Sequence, residues 1–325
     1  MPTTVRAFAK INIGLAIGAL RTDGFHELRT IYQTVALHDS VHVAITPGSG
    51  IVVRCEGDGV PLDSSNTCYR MAERVMTALR ASSKVTIEIQ KKLPVQGGLG
   101  GASSDAIATL LAMERELGTE LLFSEKLRLA AQVGSDLPLF LLGGTVLGVG
   151  RGEEVYPLPD LPSLPCLIAT PAVRISTPQA FADWDALKDT AKLTAPITSD
   201  RINLFSAAVF PALNALTARS TSGVPVDENG GRAETPLLDL VRTGIANDFE
   251  QVVFPQHPEL SEIKRLLERA GAIYASLSGS GSAVFGLFDQ PGLVENAARQ
   301  LQSNGVSAHA TTTSSRQQYR QQMFE

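Results

Sequence analysis

Apolar residues alternate with polar ones, or run continuously, in short stretches near the N-terminus, and the spacing predicts strands over Val5 to Ala19, Glu27 to Ala36, Ser40 to Ile45 and Ile51 to Cys55. Turn chemistry separates them at Asp23-Gly24 and at Pro47-Gly48-Ser49-Gly50. The period then changes. Thr67 to Leu79 predicts a helix, Lys84 to Ile89 a strand, and a glycine-rich loop after Pro94 leads into a helix with Ala106, Leu110, Met113 and Leu117 on one face. A helix over Ser124 to Val133 stops before Gly134-Ser135-Asp136-Leu137-Pro138, and a strand over Thr145 to Val149 enters the proline-rich stretch Tyr156 to Pro165, the best linker candidate.

Beyond it the pattern predicts a strand over Cys166 to Thr170, then helices, with a polar interval from Ala218 to Thr235 that reads as a mobile loop. A helix over Glu259 to Ala270 turns Leu260, Ile263, Leu266 and Leu267 inward. Strands over Ala272 to Leu277 and Ala283 to Phe288 flank Ser278-Gly279-Ser280-Gly281-Ser282. Pro291 opens a further helix, and a strand near Val306 to Thr311 ends the pattern, leaving the polar stretch Thr312 to Glu325 as a frayed tail.

A length of 325 residues allows two domains, and 44% hydrophobic with 19% charged residues excludes a mostly disordered chain. Net charge is -5. Without a basic excess a nucleic-acid partner is not expected, and any anionic ligand must be held by local geometry. Cys55, Cys68 and Cys166 are odd in number and not spaced as metal ligands, which suggests reduced thiols in a cytoplasmic protein. No run is long enough to span a membrane. Arg6 and Lys10 before Ile11 to Leu20 superficially resemble a leader, but Asn12 interrupts the run and no Ala-x-Ala site follows.

The glycines are in excess, 28 in all, and four of them (Gly97, Gly98, Gly100, Gly101) fall within five positions between a strand and a helix. Such a loop brings backbone N–H groups close to a ligand, and the helix N-terminus behind it adds unpaired donors and the positive end of the dipole: a seat for phosphate. Ser103 and Ser104 add hydroxyls for a cap, a phosphate or a metal ion. The loop has neither the lysine of a Walker A motif nor the context of a dinucleotide fingerprint.

Pro94, Gly98-Leu99-Gly100 and Ser103-Ser104 are in register with the phosphate loop of the GHMP kinase superfamily, which the chain resembles. Ala7 to Leu15 is similar to the superfamily's N-terminal motif, and Ser278 to Phe285 to its C-terminal glycine motif, although alone the first is an alternating strand and the second a hairpin turn. Further matches lie at Ala9 to Asn12, Arg21 to His26, Lys91 to Pro94, Gly134 to Pro138, Ile175 to Pro178 and Ala246 to Phe249. These resemble the branch whose acceptor is a cytidine diphosphate-linked methylerythritol. The resemblance implies an α+β fold of two domains. Residues 1–160 would form a nucleotide domain of ribosomal-protein-S5-domain-2-like type, residues 161–313 a ferredoxin-like domain, and 314–325 a flexible tail.

It implies ATP-dependent phosphorylation of the acceptor's 2-hydroxyl in non-mevalonate isoprenoid precursor biosynthesis, with ATP and Mg²⁺ as cofactors. Asp136 would be the base or orienting charge and Lys10 its partner. Asn12 and Thr177 would meet the methylerythritol; Phe25 and His26 would meet the cytosine, His26 supplying hydrogen bonds, with Phe181 as the opposing ring and phenylalanine at position 25 where tyrosine is common in the branch. Pro94, Gly97, Gly98, Leu99, Gly100, Gly101, Ala102, Ser103 and Ser104 would cradle the phosphates. Asn66 and Lys91 would lie at the adenine and ribose end, with Lys92 as the alternative to Lys91. No protein ligand of Mg²⁺ stands out. Expected partners are a small-molecule substrate, no nucleic acid and no membrane, with the protein a monomer or homodimer. Competing readings are another kinase of the superfamily, which the Asp23 to His26 segment disfavours, and a non-catalytic sensor, which has no need of both Lys10 and Asp136.

Overall fold

The computed structural model describes residues 2–56, 59–95, 97–190 and 245–325. Two sheets form its middle, and each has helices on its outer face. The first holds β1 (Thr3–Leu20), β2 (His26–Thr46), β3 (Ile51–Cys55), β4 (Lys84–Gln90), β5 (Thr145–Val149) and β6 (Glu154–Pro157). β2 is its axis: β1 pairs antiparallel along its whole length, while the opposite edge takes β4 at one end and β5 at the other. Helices α1 (Thr67–Leu79), α2 (Gly101–Leu117), α3 (Phe123–Val133) and the short α4 (Leu139–Leu142) cover the outer face, burying Met71, Val75, Ile107, Leu110, Met113 and Leu129 against it.

In the second sheet β7 (Pro165–Thr170), β8 (Tyr274–Leu277), β9 (Val284–Leu287) and β10 (Ser307–Thr312) run antiparallel in the order β10-β7-β9-β8. That is the ferredoxin-like order, so the structure has the α+β class expected. Period-2 alternation sorts its side chains. Cys166, Ile168, Phe285 and Leu287 point into the layer between the sheets, where they meet Ala9, Ile11, Ile13 and Ile31. Leu167, Ala169 and Val284 point outward onto α5 (Thr177–Thr190), α6 (Glu250–Gln256), α7 (Pro258–Arg269) and α8 (Pro291–Ser303).

Three expectations change. The two strands expected over Glu27 to Ala36 and Ser40 to Ile45 are one, because the polar step His38-Asp39-Ser40 stays in register with Phe8, Ala7 and Arg6 of β1. The proline-rich stretch is pinned rather than loose: it begins as β6, and Leu158, Leu161 and Leu164 are buried between the sheets. The frayed tail is instead a docked helix, α9 (Arg316–Gln322), capped by Ser315, whose hydroxyl accepts from Gln318 N–H. Its Tyr319 is buried and donates to the carbonyl of Phe140 at 2.6 Å. The polar interval Ala218 to Thr235 lies outside the described residues.

Candidate active site

The glycine loop leaves β4 and ends as the first turn of α2. Gly98 and Gly100 have φ of +74° and +71°, a left-handed backbone that L side chains resist. Space excludes a side chain as well: a Cβ on Gly98 would collide with the carbonyl of Ser278, and one on Gly100 would sit 2.9 Å from Phe140 Cζ and 3.0 Å from Lys10 Cγ. Gly100 caps α2 with no side-chain hydrogen bond, so the first-turn N–H groups keep their capacity for a ligand. Ser278 Oγ donates to Gly98 O at 2.9 Å and Ala283 N–H to Gly97 O at 3.1 Å, so the hairpin between β8 and β9 backs the loop.

Two cavities flank this loop. The first, of about 470 Å³, is lined by Pro94, Gly97 to Ser103, Asn66, Lys91, Asp105 and Thr177. The second, of about 590 Å³, is lined by Lys10, Asn12, Phe25, His26, Tyr32, Asp136, Thr177 and Phe181. Gly98, Gly100 and Thr177 belong to both walls. Every residue singled out in the sequence lies on one cavity or the other except Lys92, the alternative to Lys91, and Ser104, which is buried in α2 with its N–H on Gly100 O.

In the second cavity Lys10 and Asn12 share one face of β1, and the N–H of Lys10 donates to Leu99 O at 2.9 Å, tying strand to loop. Lys10 Nζ, almost wholly buried, lies 2.6 Å from Asn12 Oδ1 and 3.5 Å from Asp136 Oδ2. Burial pulls the ammonium below its ordinary value, and the charge of Asp136 opposes that pull. Asn12 is fixed in turn by donating to Thr30 Oγ1 at 2.7 Å. The hydroxyls of Thr177 and Ser280 meet at 2.7 Å across the cleft. The Ala246 to Phe249 motif anchors the rim: Asn247 Nδ2 donates to Leu277 O and Gly279 O at 2.8 and 2.7 Å, and Asp248 Oδ2 accepts from Ile17 N–H.

The aromatic end differs from a simple sandwich. Phe25 is half-exposed with the Arg151 guanidinium 4.8 Å over its ring, while His26 and Phe181 stack directly on each other at 5.2 Å. No base fits between two parallel rings so close. The His26 ring nitrogens face Gly18 O and Asp185 Oδ2, so a bond from Nε2 to a base competes with Asp185.

In the first cavity, the Asn66 amide is already engaged, accepting from Cys68 N–H and donating to Pro61 O. Lys91 lines the cavity and Lys92 does not, which separates the two lysines. Its ammonium is held by Asp39 Oδ2 at 2.5 Å and Asp105 Oδ2 at 2.9 Å. Asp39 is fully buried and also accepts from the N–H groups of Lys92 and Leu93. Sequence reasoning passed over Asp39, Asp105, Tyr32, Arg151 and Asp185. Asp105 carried a usable signal, directly following the serine pair at the start of a helix; Asp39 and Tyr32 become visible only through strand pairing, and Arg151 and Asp185 only through the packing of a turn and of α5 against the cavity.

Comparison with known proteins settles the family. Residues 66–144 match the GHMP kinases N terminal domain and residues 235–307 the GHMP kinases C terminal. A 4-diphosphocytidyl-2-C-methyl-D-erythritol kinase of Solibacter usitatus (strain Ellin6076) is 37% identical over 97% of this chain and 90% of its own. That of Acaryochloris marina (strain MBIC 11017) is 35% identical over 92% and 91%. The chain belongs to the 4-diphosphocytidyl-2-C-methyl-D-erythritol kinase family. A crystal structure of 4-(cytidine 5'-diphospho)-2C-methyl-D-erythritol kinase superposes with a TM-score of 0.71 at 30% identity, covering 95% of this chain and 98% of that one. A homoserine kinase from Cytophaga hutchinsonii superposes with a TM-score of 0.69 at 20% identity, which shows the shared fold alone. Members of this family are small-molecule kinases of isoprenoid precursor biosynthesis. No described helix is long and apolar enough to cross a membrane.

Proposed function

We propose that ATP occupies the first cavity and a cytidine diphosphate-linked methylerythritol the second, with the γ-phosphoryl group passing between them over Gly98 and Gly100 to the acceptor's 2-hydroxyl. The observation that carries this reading is the shared wall: one glycine loop with free helix donors borders both cavities, and the Lys10–Asp136 pair stands on the acceptor side alone. Phosphoryl transfer is mostly positioning and charge neutralisation, because its transition state is loose. The hydroxyl oxygen bonds to the γ-phosphorus, the bond to the bridging oxygen breaks, and ADP leaves. Asp136 holds the hydroxyl by accepting its hydrogen bond and takes the proton as the new bond completes, a late transfer for which an acidic carboxylate suffices. Lys10 offsets charge on the transferring oxygens, in a site where burial strengthens the effect.

Mg²⁺ enters with the nucleotide in this reading. The described residues contain no cluster of three or more metal-ligating His, Cys, Asp or Glu side chains. The first cavity does offer the Ser103 hydroxyl and Asp105, whose Oδ1 is buried without a hydrogen-bond partner. These hard oxygen donors suit a cation that keeps most of its ligands from phosphate and water and neutralises phosphate charge when bound. The test is a coupled ADP-release assay with the cytidylylated methylerythritol, mevalonate, homoserine and galactose as acceptors. Turnover of the first alone is expected; turnover of any other in its absence overturns the substrate assignment.

A further inference from the structure

Tyr32 lies directly opposite Asn12 in the β1–β2 pairing and lines the acceptor cavity. Its hydroxyl donates to Asp136 Oδ1 at 3.1 Å, while Oδ2 of the same carboxylate faces Lys10. The two donors thus hold the carboxylate by separate oxygens, from adjacent strands. The phenol is itself buried, and burial, with the charge of Asp136 beside it, pushes its ionisation well above the ordinary tyrosine range, so it remains a donor. The Lys10 ammonium lies 5.7 Å from the ring centroid.

The surrounding backbone is shaped to this ring. A Cβ on Gly148 of β5 would lie 2.5 Å from Tyr32 Cε2, and one on Gly152 would lie 2.5 Å from the hydroxyl oxygen but 3.7 Å from Cζ. Two glycines therefore leave the space that one phenol fills, and at Gly152 that space is needed for the oxygen rather than for the ring. Gly152 also has a φ of +101°, which favours glycine by itself, so the free space at its Cβ seats the oxygen without being the sole reason for the residue.

We infer that Tyr32 is a positioning residue for phosphoryl transfer, its hydroxyl fixing the plane of the Asp136 carboxylate so that Oδ2 meets the acceptor hydroxyl, with Gly148 and Gly152 as the seat that fixes the hydroxyl. The inference rests on the proposed role of Asp136. Removing one hydrogen bond to a charged group corresponds to a loss of about tenfold to a hundredfold in rate. Tyr32→Phe is expected to lower kcat by that factor, with KM for ATP and for the acceptor unchanged within twofold and an unaltered melting curve. Gly152→Ala should lower kcat similarly in the wild-type background. In the Tyr32→Phe background it should cost kcat less than in the wild type, because the colliding oxygen is gone and only the backbone strain at a φ of +101° remains.

A Tyr32→Phe enzyme with kcat within twofold of wild type, or one whose loss appears in KM, overturns the inference, as does full additivity of the two substitutions. Asp136→Asn in the same assay separates the two readings. If it retains turnover, the proposed site chemistry fails; if it abolishes turnover while Tyr32→Phe does not lower kcat, only the role of Tyr32 fails.

Discussion

Each cavity has a lysine facing aspartate, and the two arrangements are built in opposite ways. Lys91 is clamped between Asp39 and Asp105 at 2.5 and 2.9 Å, with Asp39 fully buried. Asp39 spends its other oxygen on the N–H groups of Lys92 and Leu93, the last backbone before the glycine loop. Lys10 stands off Asp136 at 3.5 Å, and that carboxylate remains 35% exposed to the cavity. The first set is closed on Lys91: apart from Asp105 Oδ1, its charged atoms meet partners within the protein and hold the root of the loop to β2. The second is open, with a carboxylate oxygen available to a ligand. A short, satisfied ion pair is suited to holding backbone, whereas a longer one beside a cavity leaves room for a reacting group.

The largest expected effect that would break this contrast is on rate. Asp136→Ala should reduce the chemical step by about a thousandfold or more, measured in a single-turnover assay, while ATP affinity stays nearly intact. Near-normal turnover would put the open pair outside the chemistry.

Stability should discriminate the two lysines next. Lys91→Met leaves Asp39 and Asp105 facing each other without their cation, at a cost of about 3–5 kcal/mol in denaturant unfolding. Lys10→Met removes a cation that burial already disfavours, leaves a partly hydrated carboxylate and orphans Asn12 Oδ1, so its cost should be about 1–2 kcal/mol, below that of Lys91→Met, although activity is lost. Equal costs would mean that the two clusters are not different in kind.

A last way to sharpen the contrast is the pH profile. Burial pushes the Asp105 carboxyl up to about 7 from an ordinary 3.8, ahead of the opposing pull of Lys91. The folded protein then keeps a proton that the unfolded chain has lost. Stability from this group is complete below 3.8 and declines as pH rises to about 7. Asp105→Asn should flatten that part of the curve in unfolding measured from pH 4 to 8. An unchanged slope would place its origin elsewhere.

Local pattern was enough where local forces decide. Thr67–Leu79 and Thr145–Val149 have the bounds their periodicity suggests, and the glycine loop was recognisable because positive φ and close backbone approach restrict the residue type itself. The break expected at Leu37 to Asp39 had the opposite cause. The polar pair His38-Asp39 between apolar runs resembles a turn, yet Asp39 is satisfied by backbone donors just past β4, more than fifty residues later, and the strand continues through it. The tail misled for the same reason. Its composition is polar, but Tyr319 enters a space left by Gly143, where a Cβ would collide with the ring.

By itself, then, the sequence determined the phosphate loop, most of the element boundaries and the residue types that carry the chemistry, since these rest on backbone conformation and on spacing within a few residues. Tertiary structure alone decided which lysine is locked and which is open, which oxygen of Asp136 is held by Tyr32, and that Gly98 and Gly100 wall both cavities. Those properties depend on distances between strands far apart in the chain and on burial, and burial sets the strength of every charge interaction in the site.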